Sequence, residues 1–124
     1  MQFNSSQPIY RQIIDSYKKK LVRGELKTGD KILSQREYAA NVRVNPNTVQ
    51  RAYREMENMQ MVETVRGQGT FVTATGELIA QIKQEMARKV IDYFVGEMSS
   101  LGYTRQQMVE MLLQESDYKG GQEK

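Results

Sequence analysis

The chain has 124 residues, a single domain's length with room for a small appendage, and contains neither cysteine nor histidine. Disulfide scaffolds, thiolate or imidazole metal sites, and every Ser-His-Asp or Cys-His catalytic arrangement are therefore excluded, and no cofactor or metal is expected. Hydrophobic residues make up 39% and charged residues 27%, with only two prolines, the composition of a folded chain rather than a disordered one. The net charge of +3 is unevenly spread. Residues 1–74 carry twelve Lys and Arg against seven Asp and Glu, a net of +5, whereas residues 75–124 carry six against eight, a net of −2. A basic first part suggests that this part alone meets a polyanion, although charge by itself fits a merely solvated surface equally well. Apolar runs are three residues long at most, as in Leu78-Ile79-Ala80, far short of the ~18 needed to cross a bilayer. The first seven residues have neither the basic flank nor the apolar run of a secretory signal, so a cytoplasmic location and no membrane partner are expected.

Ser5 or Ser6 is placed to cap a first helix, with Pro8 in its first turn. Ile9, Ile13, Tyr17 and Leu21 form its apolar stripe, Lys18, Lys19, Lys20 and Arg23 suit the dipole near its end, and Gly24 stops it. Residues 25–31 read as a loop turning at Gly29-Asp30. Ser34 and Glu37, three apart, are the reciprocal capping box of a second, short helix carrying Tyr38, Ala39 and Val42. A new start follows at once: Asn45 as cap and Pro46 at the first helical position, then Val49, Ala52, Tyr53 and Met56 at helical spacing. Two helices so closely joined predict a helix-turn-helix.

After Met59 the period changes. Residues 62–65 and 70–72 are strand-like runs flanking Arg66-Gly67-Gln68-Gly69, a β-hairpin. A fourth helix shows Ile79, Ile82, Met86, Val90, Phe94, Met98 and Leu101 three or four apart and stops at Gly102. Thr104 and Gln107 form a second capping box for a last helix bearing Met108, Met111 and Leu112, and the tail after Glu115 is polar. The expected fold is thus mainly α with a small β-hairpin: a winged helix-turn-helix domain (residues 1–74), a two-helix C-terminal dimerisation or effector segment (75–117) and a flexible tail (118–124). A helix pair this small cannot bury its own stripe without a staple. Pairing of Ile79, Ile82, Met86, Val90, Phe94, Met98, Met108, Met111 and Leu112 in a homodimer is the expected solution, packing back on the N-terminal part the alternative.

The candidate binding residues cluster in the helix-turn-helix and the hairpin. Asn47, Thr48, Gln50 and Arg51 lie in the first turns of the third helix, where amide and guanidinium groups can bond base edges in a major groove. Asn45 and Pro46 belong to the same turn, and for Asn45 capping alone is a sufficient reading. Ser34 and Arg36 at the start of the second helix can grip phosphate. Arg66 at the hairpin tip can reach the backbone or a minor groove, with Gly67, Gln68 and Gly69 allowing close approach. Arg51 and Arg54 read equally as a solvated face. Glu37 reads as a cap rather than an acid catalyst, and Glu55 and Glu57, two apart on a helix, face different directions and imply no catalytic pair. Tyr93, Phe94 and Tyr103 read as core or dimer contact before they read as the lining of a pocket for an unidentified small-molecule effector.

Several spaced motifs together carry a resemblance. Pro8-Ile9-Tyr10-Arg11-Gln12-Ile13, Gly24-Glu25-Leu26, Gly29-Asp30, Ser34-Gln35-Arg36-Glu37 with Ala39, Val44-Asn45-Pro46-Asn47-Thr48-Val49 with Ala52-Tyr53, and Gly67-Gln68-Gly69-Thr70-Phe71-Val72 resemble the GntR family of bacterial transcription regulators over residues 7–73. The short tail is similar to the YtrA-type branch, whose members are dimers often encoded with ABC transporters. The resemblance implies double-stranded DNA as partner, repression from an inverted-repeat operator, and DNA contacts at Arg36, Pro46, Asn47, Thr48, Gln50, Arg66, Gly67 and Gln68. Two positions depart from the family pattern: Leu33 stands where a proline usually precedes the serine, and Gln60 where a glycine usually precedes the first wing strand. A winged-helix protein-docking module is the rival from another class.

Overall fold

The computed structural model describes residues 3–120. The order is α1 (Ile9–Val22), β1 (Lys31–Ile32), α2 (Gln35–Val42), α3 (Pro46–Asn58), β2 (Val62–Val65), β3 (Gly69–Val72), α4 (Gly76–Ser100) and α5 (Arg105–Gly120). Two compact units are present, Met1–Gln84 and Glu85–Lys124, with the division falling inside α4. Mainly helical, with a small antiparallel sheet, this is a winged helix-turn-helix followed by two helices.

Local chemistry places most helix ends. Ser34 Oγ accepts the Glu37 amide at 3.1 Å while Glu37 Oε1 accepts the Ser34 amide at 3.0 Å, closing the capping box of α2. Asn45 Oδ1 accepts the Asn47 amide at 2.8 Å and Pro46 opens α3. Thr104 and Gln107 close a second capping box at α5, with bonds of 2.9 and 3.2 Å. Arg43, in the left-handed region at φ 56°, makes the tight turn between α2 and α3.

The start of α1 differs from the expectation. Neither Ser5 nor Ser6 caps it; Pro8 is the capping residue and contributes no side-chain bond, so it lies just outside the first turn rather than in it. The preceding segment is tied down by the buried Gln12, whose amide accepts the Asn4 N–H at 3.1 Å and donates to the Asn4 and Gln7 carbonyls at 2.8 Å each. Residues 25–31 are a loop only up to the last position. Lys31 and Ile32 pair with Phe71 and Thr70 of β3, adding a third strand to the hairpin in the order β1-β3-β2. The second strand of the wing starts one residue earlier than expected, with Gly69 opposite Val65. At the far end α5 continues to Gly120, past the stop expected at Glu115, and residues 121–124 of the expected tail lie outside the described residues.

The core of the first unit joins one face of each element. Ile13, Tyr17 and Leu21 of α1 meet Val49, Ala52, Tyr53 and Met56 of α3, with Tyr38 and Ala39 of α2 and Met61, Val62 and Val72 of the wing also buried. Ile9, at the head of the expected α1 stripe, is exposed. Tyr17, Tyr38 and Tyr53 form a three-ring cluster with centroids 5.8, 6.0 and 6.2 Å apart, at tilted and edge-to-face angles that suit the ring quadrupoles.

Gln60 answers the question raised by its sequence. It adopts φ 65°, the left-handed conformation that a glycine would hold at no steric cost, so the turn from α3 into the wing is preserved and is strained. A side chain there costs about 1–2 kcal/mol, and glycine's larger chain entropy offsets about 0.5–1 of the relief. Gln60→Gly is therefore expected to stabilise by up to about 1 kcal/mol, raising the midpoint of thermal unfolding by a few degrees, and Gln60→Val to lower it. Circular dichroism melts of the two variants check this.

Candidate nucleic-acid interface

The helix-turn-helix and the wing enclose an open groove of about 960 Å³. Its walls come from three places distant in sequence: the start of α2 (Ser34, Gln35, Arg36), the start of α3 (Pro46, Asn47, Gln50) and the wing tip (Arg66, Gly67, Gln68, Gly69). Nine of the twelve expected DNA-binding positions line it, and its only charged lining residues are Arg36 and Arg66. Both arginines are exposed, as are Asn47 and Gln50 on the outward side of α3, whose inward side is held by Val49, Ala52 and Tyr53. A second groove of this unit, about 640 Å³, is lined by Glu57, Glu63 and Glu77 and by no cation. A polyanion approaching this unit is attracted to the first groove and repelled from the second.

The capping bonds decide what the helix starts can offer. Ser34 Oγ and the Glu37 and Asn47 amides are already engaged. At the start of α2 this leaves the Arg36 side chain as the group that can reach an anion. Glu37 is an ionised cap: hydrogen bonds from the Ser34 backbone and hydroxyl hold its carboxyl below the ordinary carboxylate value. At the wing tip Gly67 takes φ 79°, which turns the chain between Val65 and Gly69. The Lys31 side chain crosses Gly69 so closely that a Cβ there would meet its Cε at 2.6 Å. This brings a third cation to the base of the wing, one that the sequence does not signal because nothing near Lys31 marks it.

Three expected positions do not line the groove. Asn45 is spent on its cap, and Thr48 is half-buried. Arg51 is turned onto α1: its guanidinium carbon sits 3.9 Å from the centroid of the Tyr10 ring, and its Nη2 donates to the Tyr10 hydroxyl at 3.2 Å. Tyr10 stands in the sequence pattern that carried the family resemblance, but no spacing rule links it to a residue 41 positions away.

The expected dimer residues split in two. Ile82 and Met108 are buried within the protomer and Ile79, Met86, Phe94 and Met98 half-buried, whereas Val90, Met111 and Leu112 are exposed. Of the large apolar side chains exposed among the described residues, nine lie between Val90 and Leu113 and only Ile9 and Leu33 lie elsewhere. No helix among the described residues is long and apolar enough to cross a membrane.

The family model described as bacterial regulatory proteins, gntR family, matches residues 9–72, from α1 to the end of the wing. This chain belongs to the GntR family. It is similar to the HTH-type transcriptional regulator YhcF of Bacillus subtilis, with 50% identity over 109 residues, 88% of this chain and 90% of the relative. The HTH-type transcriptional repressor YtrA of the same organism is 39% identical over 94 residues, 71% of this chain and 72% of that one. A solved GntR family transcriptional regulator from Listeria monocytogenes superimposes with a TM-score of 0.82 at 38% identity, covering 90% of this chain and 98% of its own. The likeness to YtrA supports the YtrA-type resemblance, and both it and the Listeria structure extend past the winged domain into the C-terminal helices. The protein is thus a GntR-type helix-turn-helix transcription regulator, and its groove belongs to the DNA-binding domain of that family.

Proposed function

We propose that this regulator represses transcription in the cytoplasm by binding an inverted-repeat operator as a homodimer. The observation that supports this reading best is the carboxylate-free groove in which Arg36, Asn47, Gln50 and Arg66 converge from α2, α3 and the wing. In this reading α3 enters the major groove, where Asn47 and Gln50 bond base edges, while Arg36 and Arg66 hold phosphates on either side. Ser34, Pro46 and the glycines of the wing let the backbone come close, and Asn45 and Thr48 keep the start of α3 in shape. Repression rather than activation follows the name of the YtrA relative, and control of an ABC transporter operon follows the YtrA-type resemblance.

The homodimer rests on the exposed apolar side chains of the second unit, which a copy of the same helices would cover. Residues 75–117 then act as the dimerisation segment, spacing two winged domains over successive major grooves. Replacing Val90 and Leu112 together by aspartate is expected to convert the dimer to monomer in sedimentation. It should also weaken operator binding by about 10²-fold or more, since the second half-site no longer binds intramolecularly. An unchanged sedimentation mass would remove these residues from the interface.

The decisive experiment for the DNA reading is selection of duplexes from a random-sequence library, followed by gel shifts against the winners. A protein-docking module would enrich nothing. Gln50→Ala is expected to cost about 1–3 kcal/mol, concentrated at one base pair of each half-site. Uniform loss across all single-base variants would show that Gln50 reads no base.

A further inference from the structure

Tyr10, Arg11 and Arg51 make an arrangement outside the groove that the reading above leaves unused. The Tyr10 hydroxyl oxygen accepts two guanidinium N–H groups, from Arg11 Nε and from Arg51 Nη2, each at 3.2 Å. Both guanidinia also flank the Tyr10 ring, their central carbons 5.9 and 3.9 Å from its centroid. A guanidinium has five N–H donors in a planar fork. Each arginine spends one of them on the phenol, leaving the others available, and the phenol's own proton is still free to donate. Both arginines are solvent-exposed. The only carboxylate within ion-pair distance of either, among the described residues, is Glu55, 3.9 Å from Arg51 Nε and beyond hydrogen-bond reach. Two cations share one oxygen; Glu55 and Asp15 offset part of their charge, and the guanidinium donors not spent on the phenol converge from α1 and α3.

We propose that Arg11 and Arg51 hold a backbone phosphate of the DNA, with Tyr10 as the positioning residue that orients both guanidinia, so that Arg51 contributes affinity and not base reading. The proposal rests on the DNA-binding reading above and deepens it. Its chemistry is that of phosphate recognition: a tetrahedral anion accepts bidentate bonds from a guanidinium fork that the phenol has already fixed in place. For Arg51 to read a base instead, it would have to leave both the ring face and the hydroxyl. A flexible side chain held by two contacts to a residue 41 positions away is oriented for the neighbour of that residue, which is Arg11.

The test uses the full chain and duplexes that the wild-type protein selects from a random-sequence library, with a panel of their single-base variants, titrated at several salt concentrations. Arg51→Ala and Arg11→Ala are each expected to weaken binding by one common factor across the whole panel. Each should also lower the log–log salt slope by about 1 per half-site, so that the affinity lost between about 50 and 200 mM salt shrinks roughly 3.5-fold. Tyr10→Ala should weaken binding in the wild-type background and add nothing once both arginines are alanine, the signature of a residue acting through them. Tyr10→Phe keeps the ring and should lose less than Tyr10→Ala. Thermal melts confirm that the variants fold, with Arg51→Gln as the second replacement. Relaxed preference at one base pair with an unchanged slope for Arg51→Ala would make it a base reader and overturn the proposal, as would no change in either quantity. A wild-type protein that selects no duplex overturns the DNA-binding reading itself, which the variants' common loss cannot mimic.

Discussion

Replacing Arg36 and Arg66 together by alanine is expected to weaken binding to every DNA sequence and to flatten its dependence on salt. Each guanidinium that neutralises a phosphate releases condensed counterions, so each one lost lowers the log–log slope by about 1. The two arginines are the only charged groups lining the groove, one at the start of α2 and one at the wing tip, and the groove holds no carboxylate to offset them. The slope should therefore fall by about 2 per half-site, and by about 4 for a dimer on a full operator. Per half-site, the affinity lost between about 50 and 200 mM salt becomes roughly tenfold smaller in the double variant. Sequence preference, measured on the same duplexes, should be retained, because neither residue is assigned a base edge. A slope equal to that of the wild type would show that these side chains do not reach phosphate.

The second large effect concerns Tyr53, which links α3 to the start of α2. Its side chain is fully buried, its hydroxyl donates to the Leu33 carbonyl at 2.6 Å, and it lies 2.9 Å from the Tyr17 hydroxyl. With its own proton committed to Leu33, Tyr53 accepts from Tyr17, and the chain of bonds runs from α1 through α3 to the residue just before Ser34. Leu33 stands where a proline usually stiffens this point in the family, and the bond to its carbonyl supplies a tether that a proline ring would not need. Tyr53→Phe leaves the Leu33 carbonyl and the Tyr17 hydroxyl unpartnered and is expected to cost about 1–3 kcal/mol. Tyr53→Ala adds a cavity and should cost about 3–5 kcal/mol, a large share of a small domain's stability. Urea unfolding of the two variants separates the hydroxyl's contribution from that of the ring.

The same cluster gives stability a pH dependence of definite sign. Burial pushes all three phenols up, Tyr38 to about 12, with Tyr53 raised furthest. In the unfolded chain tyrosine ionises near 10, so the folded state binds these protons more tightly. The stabilisation is fully present below pH ~10 and is lost as pH rises from there toward the folded values, at up to ~1.4 kcal/mol per pH unit for each phenol still protonated. Urea midpoints should be flat from neutral pH to about 9 and fall steeply above 10, less steeply in Tyr53→Phe, which has one such phenol fewer. A midpoint insensitive to pH up to 11 would contradict the burial of these rings.

Most of the candidate site is legible in the residue order because its signals are short-ranged. The pairs Ser34–Glu37 and Thr104–Gln107 and the step Asn45–Pro46 act within three residues, and the chain realises each of them as expected. A pattern of local signals suffices to name the family and to mark nine positions that the folded chain gathers into one groove. It does not reveal that Arg51 is turned onto Tyr10, because exposure and helical phase describe a residue's own element and not its neighbour. It misses β1 because two residues have no periodicity and become a strand only when β3 lies beside them. Gln60 shows the converse: the family pattern has glycine there, and the turn forms without it at the cost of a strained side chain.

For this protein, residue order alone settled the starts of α2, α3 and α5, the position of the wing and the membership in a family of regulators, since capping, turn chemistry and periodicity are energies between near neighbours along the chain. Which arginines face the groove and which is turned onto Tyr10 was decided by the fold, as was which apolar residues of α4 and α5 are buried in the protomer and which are left exposed. Those outcomes depend on contacts between residues tens of positions apart, whose free energy exists only once the chain has closed on itself.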